Sequence, residues 1–210
     1  MGVERIISVS AVGSLKEEFV PLDLVIPSQL IDRTRQRDSS FYDEDMVVHV
    51  AFADPFCPVA SHSLHEAAQE LNVNVHTGGT MVVMEGPAFS TKAESFMYRS
   101  WGADIIGMTA LPEAKLAREA EMCYTTMAWV TDYDCWHHES ETVTVDMVIQ
   151  NLVKNVANSK NLLKTVIPKL QGPRDCTCGA ALQDAIITPR EGIPDGVRRK
   201  LAPLAGHYLT

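Results

Sequence analysis

Two aspartates, Asp132 and Asp134, stand two residues apart straight after an apolar run over residues 122–130. Carboxyls this close, if partly buried, push one pKa upward, so that one of them can carry a proton and give it to a leaving group. The same pair serves equally well as a turn or helix cap, where Asp is common. Ser10 and Thr109 each close a short apolar run. Hydroxyls in that place, with neighbouring backbone N–H groups, can hold an anion without a full positive charge. A helix N-cap accounts for Thr109 as well, and a strand-end hydroxyl for Ser10. Phe89 follows Gly86-Pro87 and offers either a face for a planar base or a hydrophobic staple beside the next helix. Met108, next to Thr109, can pack on a sugar or thioether, or simply fill the core.

Other chemistry-bearing residues carry weaker patterns. His62 and His65 lie three apart on a predicted helix, in no zinc-protease order and without a third ligand. His137-His138-Glu139 reads as a solvated turn. The five cysteines, Cys57, Cys123, Cys135, Cys176 and Cys178, are an odd and scattered set. They read as buried or inert thiols in a reducing cytoplasm, with no metal site. Cys176 and Cys178 form a local redox or disulfide candidate, against which the strain of so short a ring weighs. No nucleophile elbow, Walker loop or dinucleotide fingerprint is present.

Elements that could position these residues are legible. Arg5 to Ser10 is short and β-branched, a buried strand that runs into the small-residue turn Ala11-Val12-Gly13-Ser14. Residues 22–26 and 46–52 read as further strands, with a polar loop over 32–45 between them. A helix follows Pro58, with Leu64, Ala67, Ala68 and Leu71 on one face. Residues 80–84 are a strand ending at Glu85-Gly86-Pro87. Thr91-Lys92-Ala93-Glu94 is a capping box for the next helix. Residues 104–108 form another strand, and Pro112 suits the first turn of the helix after it. Residues 122–130 form the longest strand, ending at Thr131-Asp132. A long helix capped by Thr144 follows, with Val148, Leu152, Val156, Ser159 and Leu163 as its inner stripe and Pro168 as its stop. The pattern predicts an α/β fold, a mixed central β-sheet flanked by helices. In such sheets ligands gather where strands end.

With 210 residues, 46% of them hydrophobic and 21% charged, the chain can bury one large core. We expect a single domain over residues 1–210, with 168–210 a C-terminal extension. The net charge of -9, without a basic cluster, argues against nucleic-acid binding. No apolar run approaches the ~20 residues that span a bilayer, and no signal peptide opens the sequence.

In their order, these segments resemble the trimeric purine nucleoside phosphorylase family, in particular its phosphorylases of S-methyl-5′-thioadenosine. The matching residues are Ser10-Ala11-Val12-Gly13-Ser14, Asp32-Arg33-Thr34, Ser40-Phe41, Met84-Glu85-Gly86-Pro87, Ala93-Glu94-Ser95, Gly107-Met108-Thr109, Pro112-Glu113 and Thr131-Asp132-Tyr133-Asp134-Cys135-Trp136. The resemblance implies a pentosyltransferase of purine and methionine salvage, which uses phosphate as co-substrate and no cofactor. It would give adenine and 5-methylthioribose 1-phosphate. It also implies a cytoplasmic homotrimer without nucleic-acid or membrane partners.

The resemblance implies roles residue by residue. Ser10 and Thr109 would contact phosphate. Ala11 and Gly13 would line sugar and base with backbone, Phe89 would pack on the base, and Ile106 and Met108 would complete the substrate pocket. Asp132 would face N7 and the exocyclic amine of adenine, with Asp134 in support. His49 would reach a neighbouring subunit's site. The aspartate pair favours a 6-aminopurine over a 6-oxopurine.

Departures from the family pattern set further expectations. The family's opening strand, its Gly-Gly-Thr/Ser-Gly loop and its Arg-His pair have no counterpart here, which implies an N-terminally incomplete fold with a weakened phosphate site. A non-catalytic nucleoside-binding or assembly subunit is the alternative that this raises. Leu22 replaces a Gly of the family, so its turn is expected to change. Val12 replaces a Cys, a matter of packing.

Overall fold

The computed structural model describes residues 2–42, 46–137 and 145–209. Its organising element is a long strand, β7 (Cys123–Tyr133), buried on both faces along nearly its whole length. Alternation sorts its side chains. Tyr124, Ala128 and Val130 face one apolar cluster, while Met127 and Trp129 face another. Strand β1 (Arg5–Ser14) runs parallel beside β7 from the pair Arg5/Cys123 to Ser14/Tyr133, with a shift in register between Val12 and Gly13. The small-residue turn expected at 11–14 is therefore the bulged end of β1. Small side chains let the strand continue while its pairing slips by one residue.

Five shorter strands complete a mixed sheet: β2 (Leu24–Ile26), β3 (Gln29–Arg33), β4 (Val75–Thr77), β5 (Thr80–Met84) and β6 (Ile105–Gly107). The order is β3-β5-β6-β1-β7-β2-β4. One face carries α3 (Ala110–Glu119), whose Ala110, Leu111, Ala114 and Ala117 enter the cluster with Tyr124 and Ala128. The other carries α1 (Pro58–Glu70) and α4 (Val145–Lys169), through Leu64, Ala67, Ala68, Leu162 and Val166. Helix α2 (Lys92–Ser100) starts at the expected capping box. The Thr91 hydroxyl accepts from Glu94 N–H at 3.2 Å, and Glu94 accepts from Thr91 N–H at 2.8 Å. A last helix, α5 (Asp195–Ala205), packs with Leu182 and Tyr42 in a satellite core. Among the described residues no helix is long and apolar enough to cross a membrane.

Several expectations are corrected. Residues 46–52 form no strand beyond one bridge, Val48 to Ile186, because their neighbour is an irregular C-terminal segment rather than the sheet. Strands β3 and β4 were not expected, since three to five residues of mixed polarity carry little period-two signal. On α4 the inner face runs through Asn155, Ser159, Leu162 and Val166, while Leu152 and Val156 point outward. Two asparagines, Asn155 buried and Asn151 half-buried, explain the rotation. Asn151 and Asn155 donate to the carbonyls of Thr131 and Val130, at 2.8 and 3.0 Å, and so brace the end of β7. The helix also runs one residue past Pro168. The predicted Thr144 cap lies outside the described residues.

Leu22 sits at φ +80°, the left-handed region that favours glycine. The turn forms despite the side chain, because Leu22 N–H donates to Val130 O at 2.9 Å and Asp23 N–H to Val20 O at 3.0 Å.

Candidate active site

Sheet order brings the candidate residues together. Strands β6, β1 and β7 are neighbours; Thr109 lies just past the end of β6 and the aspartate pair at the end of β7, whereas Ser10, expected at a strand end, sits inside β1 because the strand continues through the small residues 11–14. The hydroxyls of Ser10 and Thr109, 99 positions apart in sequence, lie 3.1 Å from each other. Ser10 is buried and Thr109 exposed, so the pair opens from the sheet to solvent. Thr109 precedes α3 but makes no capping bond with its side chain. Its hydroxyl is thus turned to Ser10 and not to the helix.

Gly13 pairs with Ile106 on one side and Asp132 on the other. A Cβ on Gly13 would come within 3.2 Å of the Ile106 side chain and 3.6 Å of Asp134 Cβ, so glycine is what lets these residues close in. Ser10 and Gly13 are three strand residues apart, about 10 Å, a span of nucleoside size. Ala11, exposed, lies between them. On the far side of β6, a Cβ on Gly86 would come 2.7 Å from Met108 Sδ, which seats Met108 against the Glu85-Gly86 backbone. Phe89 extends from the same loop and is 82% exposed. No staple buries it, and its ring is available to a ligand.

The two aspartates differ in environment. Asp132 Oδ1 accepts from the Thr131 hydroxyl at 2.6 Å. Burial raises its pKa above the ordinary carboxylate value, the Thr131 bond opposes this, and the charge of Asp134 adds to the rise. Asp134 is only 9% exposed, and burial raises it too, against the nearby Ser95 hydroxyl and Cys135 N–H. Its Oδ2 and the Ser95 Oγ are both buried without a formed hydrogen bond among the described residues. A buried carboxyl with an unpaired oxygen favours its protonated form. The loop beyond is fixed: Asp134 N–H donates to Ser14 O at 2.9 Å, Trp136 Nε1 to the same oxygen at 2.8 Å, and the Arg99 guanidinium covers the Trp136 ring at 3.4 Å.

One residue was missed in the sequence. Arg37 donates to Met108 O at 2.6 Å, Glu85 O at 2.7 Å, Met84 O at 3.2 Å and Glu85 Oε1 at 3.1 Å, and also to Leu111 O. It gathers the ends of β5 and β6 and fixes the backbone that presents Met108 and Thr109. Its donors are all directed at protein acceptors, so it braces the site. The signal was its position in a polar loop dense with arginine, at 33, 35 and 37. Glu85, bonded by Arg35 N–H and by Arg37, is held below the ordinary carboxylate value.

The contacts that gather these residues do not include His49. It is exposed, on the segment whose backbone pairs with Ala185 at 2.9 Å. His62 is likewise exposed and faces Glu66 at 3.4 Å. His137 stacks on Tyr133, while His138 and Glu139 lie outside the described residues. The scattered thiols are a correction: Cys57, Cys123, Cys176 and Cys178 meet in one cluster, and Cys176 and Cys178 are not an isolated pair.

The sequence pattern described as "Phosphorylase superfamily" matches residues 1–168. The chain belongs to that superfamily. Among superfamily members, the S-methyl-5′-thioadenosine phosphorylase of Koribacter versatilis (strain Ellin345) is 53% identical over 209 residues, covering 100% of this chain and 72% of its own. A methylthioadenosine phosphorylase sourced from an antarctic soil metagenomic library superposes with a TM-score of 0.91 at 46% identity, over 97% of this chain and 72% of that one. The methylthioadenosine phosphorylase from Schistosoma mansoni in complex with adenine gives 0.83 at 32%, over 88% and 73%. The fold expected from the sequence, a mixed central sheet flanked by helices, is the one observed, with seven strands in the sheet.

Proposed function

We propose that this chain catalyses phosphorolysis of S-methyl-5′-thioadenosine, giving adenine and 5-methylthioribose 1-phosphate. The observation that carries the proposal is the Ser10–Thr109 hydroxyl pair, 3.1 Å apart and three strand residues from the glycine that packs on the aspartates. Similarity to enzymes named for this substrate supports the same reading. Inorganic phosphate, held by Ser10, Thr109 and adjacent N–H groups, attacks C1′ of the sugar. The bond from C1′ to the purine breaks as the sugar becomes cation-like, and phosphate stabilises that charge. The electron pair leaves on the base, and protonated Asp132 gives its proton to N7. Asp134, whose buried Oδ2 has no formed bond among the described residues, accepts from the exocyclic amine. Ala11, Gly13, Ile106 and Met108 line the pocket, and Phe89 closes on the base. No cofactor is needed.

A homotrimer belongs to this reading, with exposed His49 reaching a neighbour's site. Sedimentation of the purified protein tests it, and a monomer that turns over at full rate would remove His49 from the site. The reaction is tested by following adenine release from methylthioadenosine in the ultraviolet, with and without phosphate. Release that depends on phosphate is expected. A folded protein that binds adenine yet releases none from the nucleoside would overturn the proposal.

A further inference from the structure

The sulfurs of Cys57, Cys123, Cys176 and Cys178 all lie within 4.8 Å of one another, with Cys123 and Cys176 at 3.4 Å, and none is in a disulfide. Three of the four side chains are buried. They come from three separate parts of the chain. Cys57 caps α1, Cys123 is the first residue of β7, and Cys176 and Cys178 enclose the start of a short 3-10 turn at Thr177–Ala180. Chance burial of thiols accounts poorly for four of them converging from such distant positions.

We propose that these four cysteines form a structural site for one thiophilic divalent cation, zinc by its chemistry. Zinc in a tetrathiolate site sits about 2.3 Å from each sulfur, so the sulfurs stand about 3.8 Å apart at the corners of a tetrahedron. The 3.4 Å between Cys123 and Cys176 and the 4.8 Å limit on every separation bracket that edge. A box of this size encloses a single ion, and four protein donors leave no position for water, the mark of a structural and not a catalytic site. The Cys57 sulfur also accepts from Ala60 N–H at 3.5 Å, at the N-terminus of α1, where a thiolate is favoured. On binding, the four thiols release their protons to solvent and no electron changes hands. Cys178 lines a cavity of about 730 Å³ with Phe56, Pro58 and Thr177, which gives the ion a path inward.

The ion would tie the C-terminal segment to the sheet. That segment is otherwise held by the satellite core around Leu182 and Tyr42 and by polar contacts: Arg5 to Gly172 O at 2.8 Å, Arg174 to Glu121 O at 2.5 Å, and Leu182 N–H and Tyr208 Oη to Glu121 Oε1 at 3.0 and 2.7 Å. It in turn supports residues 46–49 through the Val48–Ile186 bridge and the His49–Ala185 bond.

The test is metal analysis of protein purified without chelator from zinc-replete cells, with thiol counting and intact mass on the same sample. We expect about one zinc per chain that survives dialysis. Cobalt loading should then give thiolate charge-transfer bands with the visible bands of a tetrahedral ion. Cys176→Ser and Cys178→Ser should bind less than about a tenth of that metal, while Cys135→Ser, whose thiol instead faces Ser90 O, keeps it. If the variants fail to fold, the cobalt spectrum of the unaltered protein decides. Folded protein with five free thiols that takes up neither metal overturns the proposal. So does an intact mass lowered by two hydrogens per cysteine pair, which would show disulfides in place of the ion.

Discussion

Strand β7 has a cluster of thiols at its first residue and a pair of carboxyls at its other end, nine residues or about 30 Å away. The two ends are built on opposite terms. At the Cys123 end every donor in the cluster faces another donor of the same set, and the group packs against Ala60 and Leu170. At the Asp132 end polar capacity is left open. Asp134 Oδ2 has no formed bond among the described residues, the Thr109 hydroxyl declines to cap its helix, and Phe89 stands in solvent. Closed valence suits a site that holds the chain together, whereas open valence suits one that receives a substrate and gives up a proton. The contrast can be broken by substitutions at each end, because the two ends should respond with opposite signs.

The largest effect is expected for Asp132→Asn. Losing the proton donor should lower kcat by about 10²–10⁴-fold. Stability should move the other way. Burial raises the pKa of Asp132 and Asp134 in the folded chain. Their contribution to stability is therefore complete below the unfolded value near 3.9 and is lost as pH rises through the folded value. Near pH 7 each aspartate costs stability, so Asp132→Asn should raise Tm there and have no such effect at acid pH. The wild-type rate should likewise fall with rising pH as Asp132 gives up its proton, and the variant should lack that limb. Cys176→Ser should do the reverse, lowering Tm while leaving kcat of the folded fraction intact. Thermal melts and initial rates on the two variants check both signs. A fall in Tm for Asp132→Asn at neutral pH would remove the argument from open valence.

These ends were not equally legible in the sequence. The carboxyls stand two apart after a strand, and the resemblance to a known family gave each a role. Their placement at the end of β7 was legible because strand ends and the residues next to them are local features. Ser10 and Thr109 were found one at a time, but their contact at 3.1 Å depends on β1 and β6 lying side by side, which no local pattern states. The thiol cluster was missed for the same reason on a larger scale. Its members span residues 57 to 178, and pairing by spacing saw only Cys176 and Cys178. Arg37 was missed because a cation in a polar loop reads as solvated until the carbonyls it serves are placed. The inner stripe of α4 was right at Ser159 and Leu163 but wrong at Leu152 and Val156, because asparagines, and not aliphatic residues, meet the end of β7.

Next in size is Arg37→Met. Five acceptors would lose their donor together, most of them backbone carbonyls at the ends of β5 and β6. A destabilisation of about 2–3 kcal/mol follows from leaving such groups unpaired. Phosphate binding should weaken as well, because Met108 and Thr109 lose their brace, while adenine binding at the aspartate end should change less. Denaturant titration and separate KM values for the two substrates test this. Smaller again is the double change Ser10→Ala and Thr109→Ala, which removes two neutral hydroxyls from the anion pocket. Each is worth about 0.5–1.5 kcal/mol, so the phosphate KM should rise by about 10–100-fold for the pair with Tm little changed. An unaltered phosphate KM would place the anion elsewhere and separate the hydroxyls from the carboxyls as functional units.

The smallest prediction concerns strain beside the carboxyl end of β7. Leu22 holds φ +80° in a turn whose amide bonds to Val130 O, two residues before Asp132. A non-glycine residue there costs about 1–2 kcal/mol in the folded chain. Glycine relieves that cost but adds about 0.5–1 kcal/mol of freedom to the unfolded chain. The Leu22 side chain also gives up some apolar contact, since it is half-buried. Leu22→Gly should therefore stabilise by no more than about 0.5–1 kcal/mol, read as a small rise in Tm. The turn bonds are made by backbone, so they persist in glycine and the aspartates keep their positions. kcat should stay unchanged. A gain in stability with a fall in kcat would mean that strain at this turn, and not burial alone, sets the geometry of Asp132.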